Sequence, residues 1–145
     1  MPAVPDLHHV ALTVTDVDAS VAWYEEVFGL THRLDVPHSG GVGRLLADDD
    51  RRLVLVLHRH DGNDGGPFSE VGTGLDHVGF RVPTRADLEG WQAHLEACGV
   101  VRAVAADQPL TQSPIADEAY GAVLVFRDPD NIQLEIFAPA AAPDR

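Results

Sequence analysis

The chain of 145 residues carries 10 basic residues, all of them Arg, against 23 acidic residues, a formal net charge of −13. An acidic chain without a basic face is unsuited to nucleic acid and to anionic membrane surfaces, and the absence of Lys excludes lysine Schiff-base chemistry. The length suits one domain, while the single Cys98, the lack of a signal-peptide pattern and the lack of a long apolar run predict a cytoplasmic protein.

The first part of the chain predicts a strand, a helix and three further strands. Residues 7–14 alternate between apolar and polar positions, as in a half-buried strand. A helix is predicted over residues 19–28, with Asp18 as its N-cap and Gly29 ending it in the left-handed conformation. Gly and Asp clusters then separate three strand candidates, at about 31–36, 42–47 and 52–58.

A stretch rich in Gly, Asp and Asn, residues 61–74, is predicted to connect two halves. Residues 75–82 repeat the strand alternation, and Thr84 with Asp87 resembles a capping box that opens a helix through Cys98. A strand is expected near residues 100–105.

A long polar segment, residues 106–120, is interpreted as either a lid over a site or a disordered excursion. Residues 122–127 and 132–137 predict a hairpin around the turn 128–131. The residues after Pro139 are expected to form a frayed tail.

The two halves are similar to each other. Leu7-His8-His9-Val10-Ala11-Leu12-Thr13-Val14 and Leu75-Asp76-His77-Val78-Gly79-Phe80-Arg81-Val82 share Leu, His, Val and Val in register, 68 residues apart, and Trp23 falls on Trp91 at the same separation. The chain therefore reads as two copies of one unit.

Strand alternation predicts a metal site. His9 and His77 project from the face opposite the apolar one, and Glu135 does the same on the last strand. Two imidazoles and one carboxylate form the ligand set of a facial triad, suited to Fe and also to Mn, Ni or Zn. His8 competes with His9, but alternation places it on the helix-packing face; a structural, hydrogen-bonded role for each His is the ordinary alternative.

The sequence resembles the vicinal oxygen chelate superfamily, which includes glyoxalase I, extradiol dioxygenases, fosfomycin-modifying enzymes and bleomycin-binding proteins. The residues that carry the resemblance are His8 to Asp16, Trp23-Tyr24 with Val27 to Leu30, Leu75 to Val78, and Phe126 to Glu135. The resemblance implies an α+β fold of paired βαβββ modules curled around a cleft, often in homodimers. It also implies one divalent metal ion on His9, His77 and Glu135.

On this reading, residues 1–145 form a single glyoxalase-like domain. Its first module covers about 6–60, a linker 61–74, its second module about 75–138, and a tail 139–145.

Two departures from the family patterns narrow the choice of reaction class. Laying residues 50–55 over 130–135 places Leu55 opposite Glu135, whereas glyoxalase I and the related epimerases resemble four-ligand sites with an acid at both positions. Extradiol dioxygenases place a His and a Tyr shortly before the ligand Glu, but residues 123–125 are apolar here.

Four further residues are candidates for the cavity. Thr13, Arg81 and Gln133 are predicted to bind substrate, Arg81 by a fork on a carboxylate or phosphate; a solvated surface Arg is its ordinary alternative. Tyr120, where the segment 106–120 rejoins the sheet, is a candidate general acid, although such a Tyr often only packs at the base of a loop.

Two functions remain in competition. The first is a divalent-metal-dependent enzyme acting on a small oxygenated metabolite, by dioxygenase-like chemistry or by lyase, isomerase or transferase chemistry with a Lewis-acid metal. The second is a metal-free protein that sequesters a cationic antibiotic, as bleomycin resistance proteins do, for which the net charge of −13 is suitable. The sequence leaves open the substrate, the metal, and whether the site forms within one chain or between exchanged halves of two.

Overall fold

The computed structural model describes residues 1–103 and 110–140. The chain divides into two compact units, Met1–Gly66 and Pro67–Arg145. Each unit has the order strand, helix, strand, strand, strand. The predicted α+β class and the paired βαβββ modules are therefore confirmed.

The first unit is one four-stranded sheet with a helix against it. Its elements are β1 (Val10–Thr13), α1 (Val17–Phe28), β2 (Thr31–Asp35), β3 (Gly41–Ala47) and β4 (Val54–His60). The strand order is β1-β4-β3-β2, with β1 parallel to β4 and the other pairs antiparallel. Its core consists of fully buried apolar side chains from the sheet and the helix, among them Leu46, Leu55, Leu57, Tyr24 and Val27.

The first helix begins earlier than the sequence predicted. Its N-cap is Asp16, whose Oδ1 accepts hydrogen bonds from the backbone N–H groups of Asp18 and Ala19 at 3.1 and 3.0 Å. The prediction of Asp18 as the N-cap was wrong, because a second acid two residues upstream provides the same oxygen one half-turn sooner. Gly29 closes the helix at φ 64°, as predicted.

The second unit repeats this plan. Its elements are β5 (Val78–Arg81), α2 (Arg85–Ala97), β6 (Ala116–Glu118), β7 (Gly121–Arg127) and β8 (Gln133–Pro139), in the sheet order β5-β8-β7-β6. β5 is parallel to β8, and the other pairs are antiparallel. Thr84 and Asp87 form the predicted capping box of α2, in which each side chain bonds the other residue's backbone N–H.

The second strand of this unit lies later in the chain than predicted. Residues 100–103 form no strand, and residues 104 and 105 of the expected strand lie outside the described residues. β6 instead falls within the segment 106–120, of which residues 106–109 also lie outside the described part. Within the described part of that segment, β6 forms the edge of the sheet and Gln112 forms an isolated bridge to Phe126. The interpretation of the segment as a lid stays a prediction.

The two modules differ by one residue in the turn before the last strand. The backbone bond that closes the turn joins Asp48 to Leu53 in the first unit and Asp128 to Ile132 in the second. The first turn therefore contains one residue more, and Arg51 adopts φ 54° within it.

This longer turn shifts the correspondence between the units. Leu55 pairs with Val10 as Leu134 pairs with Val78, so the counterpart of Glu135 is Val56. The alignment of Leu55 with Glu135 was wrong, although the residue in that position is apolar in either case. No helix in the described part of the chain is long and apolar enough to cross a membrane.

Candidate metal site

In the second unit, His77 and Glu135 face one point of the sheet. Gly79 on β5 is paired with Glu135 on β8. A Cβ atom placed on Gly79 would lie 3.6 Å from Oε1 of Glu135 and 4.0 Å from Nε2 of His77. Because Gly79 has no side chain, an imidazole nitrogen and a carboxylate oxygen share an open position there. The predicted faces of His77 and Glu135 are therefore the faces that the strands present.

A carboxylate holds the other nitrogen of His77. Nδ1 of His77 lies 2.6 Å from Oδ1 of Asp76, the preceding residue. The His77 side chain is 40% exposed and that of Asp76 is 69% exposed. This hydrogen bond leaves Nε2 of His77 available on the side of Gly79.

Asp76 stands at one end of a chain of polar contacts. Gln133 places its Nε2 3.5 Å from Oδ1 of Asp76, and its Oε1 accepts a hydrogen bond from Arg127 at 2.9 Å. Arg127 in turn donates to both oxygens of Glu70. Hydrogen bonding from Arg127 lowers the pKa of Glu70 to about 2. Sequence reasoning missed these contacts, because residue 70 lies in a stretch whose Gly, Asp and Asn content is typical of a connector.

In the first unit, the predicted ligand His9 is bonded through the same ring position as His77. Nδ1 of His9 lies 2.9 Å from Nδ1 of His8. His8 occupies the position in this module that Asp76 occupies in the second. Both modules therefore place a polar side chain on Nδ1 of the matched histidine.

Three further histidines, which sequence reasoning missed, cluster on the first unit. The ring centroids of His38, His58 and His60 lie 4.9 to 5.9 Å apart. His58 is paired with Thr13 in the register of β1 and β4, so it lies on the face of Thr13. The signal for His58 and His60 was available, because positions 54, 56, 58 and 60 alternate with the buried leucines of the same strand.

Two glycines lie beneath this histidine cluster. A Cβ on Gly43 would meet the His58 ring at 2.7 Å, and one on Gly41 would meet the ring of His38. Among the described residues, Nδ1 of His58 and Nε2 of His38 are buried without a hydrogen-bond partner. Burial lowers the pKa of His58, and the nearby imidazoles of His38, His60 and His9 lower it further.

The other predicted residues fall in different surroundings. Thr13 is exposed on β1. Arg81, at the end of β5, lines a surface groove of about 600 Å³ with Thr84, Arg85 and Pro139 among others. Neither His77 nor Glu135 lines that groove.

Tyr120 is 65% exposed and stacks on Phe137, with ring centroids 6.2 Å apart. Phe137 follows Glu135 by two residues on the same face of β8. Through Phe137, Tyr120 therefore contacts the face of β8 that also carries Glu135.

The predicted ligands are divided between the units, His9 in the first and His77 with Glu135 in the second. Within residues 1–103 and 110–140, no group of three or more His, Cys, Asp or Glu side chains is arranged to hold a metal ion. The pair in the second unit does fit a divalent ion chemically, since neutral imidazole and carboxylate are both ligands of Fe, Mn, Ni and Zn.

The sequence matches one known superfamily over most of its length. Residues 6–136 match the profile described as the Glyoxalase/Bleomycin resistance protein/Dioxygenase superfamily. Among curated proteins, YaeR of Escherichia coli strain K12 is 26% identical over 140 residues, which cover 94% of this chain and 98% of YaeR.

Solved structures share the fold. A glyoxylase/bleomycin resistance protein/dioxygenase domain from Frankia sp. EAN1pec superposes with a TM-score of 0.81 at 28% identity, covering 97% of this chain and 96% of that one. A variant of the fosfomycin resistance protein FosX from Listeria monocytogenes, solved with Mn(II) and a dihydroxypropylphosphonic acid, gives a TM-score of 0.64 at 16% identity, with 95% of each chain covered.

Proposed function

The chain belongs to the Glyoxalase/Bleomycin resistance protein/Dioxygenase superfamily, and from this premise we propose that it is a divalent-metal-dependent enzyme acting on a small oxygenated metabolite. In this proposal His9, His77 and Glu135 hold the ion. The reaction is dioxygenase-like or a Lewis-acid lyase, isomerase or transferase reaction.

One observation carries the proposal: His77 Nε2 and Glu135 Oε1 face the same open position over Gly79. Imidazole nitrogen and carboxylate oxygen are the ligand types that Fe, Mn, Ni and Zn take from proteins, so this pair is suited to one divalent ion. The complex of FosX with Mn(II) supports metal binding on this fold. The third ligand would be His9, which matches His77 in the repeat. Val56 in place of a second acid favours three protein ligands over four.

When bound, such an ion would supply Lewis-acid chemistry, or oxygen activation if it is iron. The side chains of the protein would bind the substrate and move protons. Thr13 and Arg81 are proposed to hold polar groups of the substrate, and Tyr120 to transfer a proton from its exposed hydroxyl. Gln133 is proposed as a substrate contact as well, although its amide already bonds Arg127 and approaches Asp76.

We further propose that the protein binds its small-molecule substrate as a homodimer, as the family resemblance implies. Light scattering after gel filtration measures this directly: twice the 15.6 kDa chain mass supports the dimer. A monomer at all concentrations would contradict it. A cytoplasmic location stays a prediction.

Elemental analysis of protein purified without a polyhistidine tag tests the metal site. We expect one equivalent of Fe, Mn, Ni or Zn per chain, and loss of that equivalent in the variants His77→Ala and Glu135→Ala. His32→Ala is the matched control, because His32 is an exposed imidazole of the first unit that pairs with Asp35. Equal metal content in all variants would refute the assigned ligands.

The net charge of −13 favours one second candidate, a metal-free protein that sequesters a cationic antibiotic. The two functions predict opposite results in a melting experiment. The enzyme should gain thermal stability on addition of Fe, Mn, Ni or Zn, because the ion binds only the folded state. The binder should show no metal-dependent change and should instead be stabilised by bleomycin.

A further inference from the structure

We infer that the residue directly before each proposed ligand histidine, His8 in the first unit and Asp76 in the second, is a positioning residue that occupies Nδ1 and thereby presents Nε2 as the metal-binding nitrogen. The inference rests on the proposed metal role of His9 and His77.

The argument is strongest at His77. An ionised carboxylate can only accept a hydrogen bond, so the 2.6 Å contact with Asp76 requires the proton of neutral His77 to be on Nδ1. The lone pair then lies on Nε2, which belongs to the ring edge (Cδ2 and Nε2) that faces Gly79 together with Oε1 of Glu135. Ligand histidines in metal sites are commonly oriented by a carboxylate in this way, which fixes the tautomer and raises the basicity of the ligand nitrogen.

Further polar contacts, made by Gln133 and Arg127, lie next to Asp76. Gln133 approaches the Asp76 oxygen that bonds His77, and Arg127 bonds the amide oxygen of Gln133. Arg127 is itself fixed by two hydrogen bonds to Glu70 and one to the backbone oxygen of Asn131. A polar network that extends to the turn between β7 and β8 therefore adjoins the Asp76–His77 pair through one contact of 3.5 Å.

In the first unit, His9 has a similar contact at Nδ1, but its partner is the imidazole of His8 and not a carboxylate. His8 and His9 meet through their Nδ1 atoms at 2.9 Å, so one ring must donate and the other accept. For Nε2 of His9 to bind a metal, His9 must be the donor. A neutral imidazole accepts this hydrogen bond without the negative charge that Asp76 supplies, so we expect His8 to contribute less than Asp76.

Nitrogen-15 NMR of the metal-free protein tests the tautomer without reference to activity. At about pH 8, above the ordinary imidazole titration, we expect His77 to carry its proton on Nδ1 in the wild-type protein and to shift toward Nε2–H in Asp76→Ala. Asp76→Asn should keep the wild-type tautomer, because the amide oxygen still accepts. Glu96→Ala, which removes an exposed acid of α2, is the control and should change nothing.

Calorimetric titration with Mn2+ or Ni2+ measures the consequence. We expect Asp76→Ala to weaken binding about 10- to 100-fold, His8→Ala to weaken it by a smaller factor, and Glu96→Ala to leave it unchanged. Wild-type His77 protonated on Nε2 would overturn the inference, as would unchanged metal affinity in Asp76→Ala. A wild-type protein that binds no metal, with a tautomer that still depends on Asp76, would overturn the proposed function and leave the orienting bond established.

Discussion

Arg127 forms a bidentate ion pair with the carboxylate of Glu70, with Nη2 2.7 Å from Oε1 and Nη1 3.0 Å from Oε2. The Arg127 side chain is only 12% exposed, and that of Glu70 is 30% exposed. The two residues are 57 positions apart in the chain. This pair therefore fixes the first residues of the second unit to the turn between its last two strands, which the backbone N–H of Phe68 also bonds.

Replacing Glu70 with Gln is expected to remove part of the acid sensitivity of the protein. The pKa of Glu70 is lowered from 4.5 to about 2 by Arg127, so this carboxylate stabilises the fold fully above about pH 4.5. Its contribution is lost as the pH falls from about 4.5 toward about 2. At pH 7 we expect Glu70→Gln to cost about 1 kcal/mol in urea denaturation. The difference from wild type should vanish near pH 2; a constant difference across this range would contradict the ion pair.

Two substitutions at the start of α1 test which residue is its N-cap. Asp16→Ala should destabilise the protein by about 1 kcal/mol, because the backbone N–H groups of Asp18 and Ala19 lose their acceptor. Asp18→Ala should cost only a few tenths of a kcal/mol, since this acid acts on the helix dipole and makes only a long, exposed ion pair of 4.0 Å with Arg44. Chemical denaturation of both variants decides between the two caps, and the opposite ranking would restore Asp18.

The shifted correspondence between the modules predicts different effects at neighbouring positions. Leu55→Glu would bury a carboxylate in the fully buried face of β4 and should cost several kcal/mol. Val56→Glu places the acid on the opposite face, at the counterpart of Glu135, and because Val56 is also buried it should destabilise the metal-free protein as well. If the proposed metal site is correct, added Mn2+ or Ni2+ should raise the melting temperature of Val56→Glu and not that of Leu55→Glu. A metal-dependent rise for Leu55→Glu instead of Val56→Glu would contradict the register.

The histidine cluster predicts weaker folding in mild acid. The pKa of His58 is lowered below its ordinary value of 6.5 by burial and by neighbouring imidazoles. The unfolded chain therefore binds its proton first, and the folded state loses stability as the pH falls below about 6.5. We expect His58→Gln to reduce the loss of stability between about pH 7.5 and 5.5, measured by urea denaturation. An equal loss of stability in wild type and His58→Gln across this pH range would contradict the role of His58.

Much of this fold could be predicted because its signals are local. The period-two alternation identified the first strand of each module. Thr84 and Asp87 predicted the start of α2 through a capping box that the structure contains. Gly29 likewise marked the end of the first helix at φ 64°.

Two of the errors arose where the pairing of strands distant in sequence sets the structure. The extra residue between Asp48 and Leu53 is absorbed in a turn, so no local pattern revealed the shift from Leu55 to Val56. The short strand β6 is exposed and has no alternation of its own, since it is defined by pairing with β7.

The candidate site was predictable only in part, because strand alternation is a local signal and the fold of a loop is not. The faces of His77 and Glu135 follow from alternation along two strands and agree with the structure. The grouping of His38 with His58 and His60 depends on how a loop folds back over β3 and β4, which one strand's pattern does not encode.

The longer turn of the first module has a practical consequence for protein engineering. A one-residue insertion inside a strand would turn every later side chain to the opposite face, yet here the additional residue is taken up before β4 begins. Leu55 and Leu57 consequently keep the inward orientation of their counterparts Leu134 and Ile136. The segment between Asp48 and Leu53 is therefore a suitable place to graft a short epitope or a fluorophore attachment point.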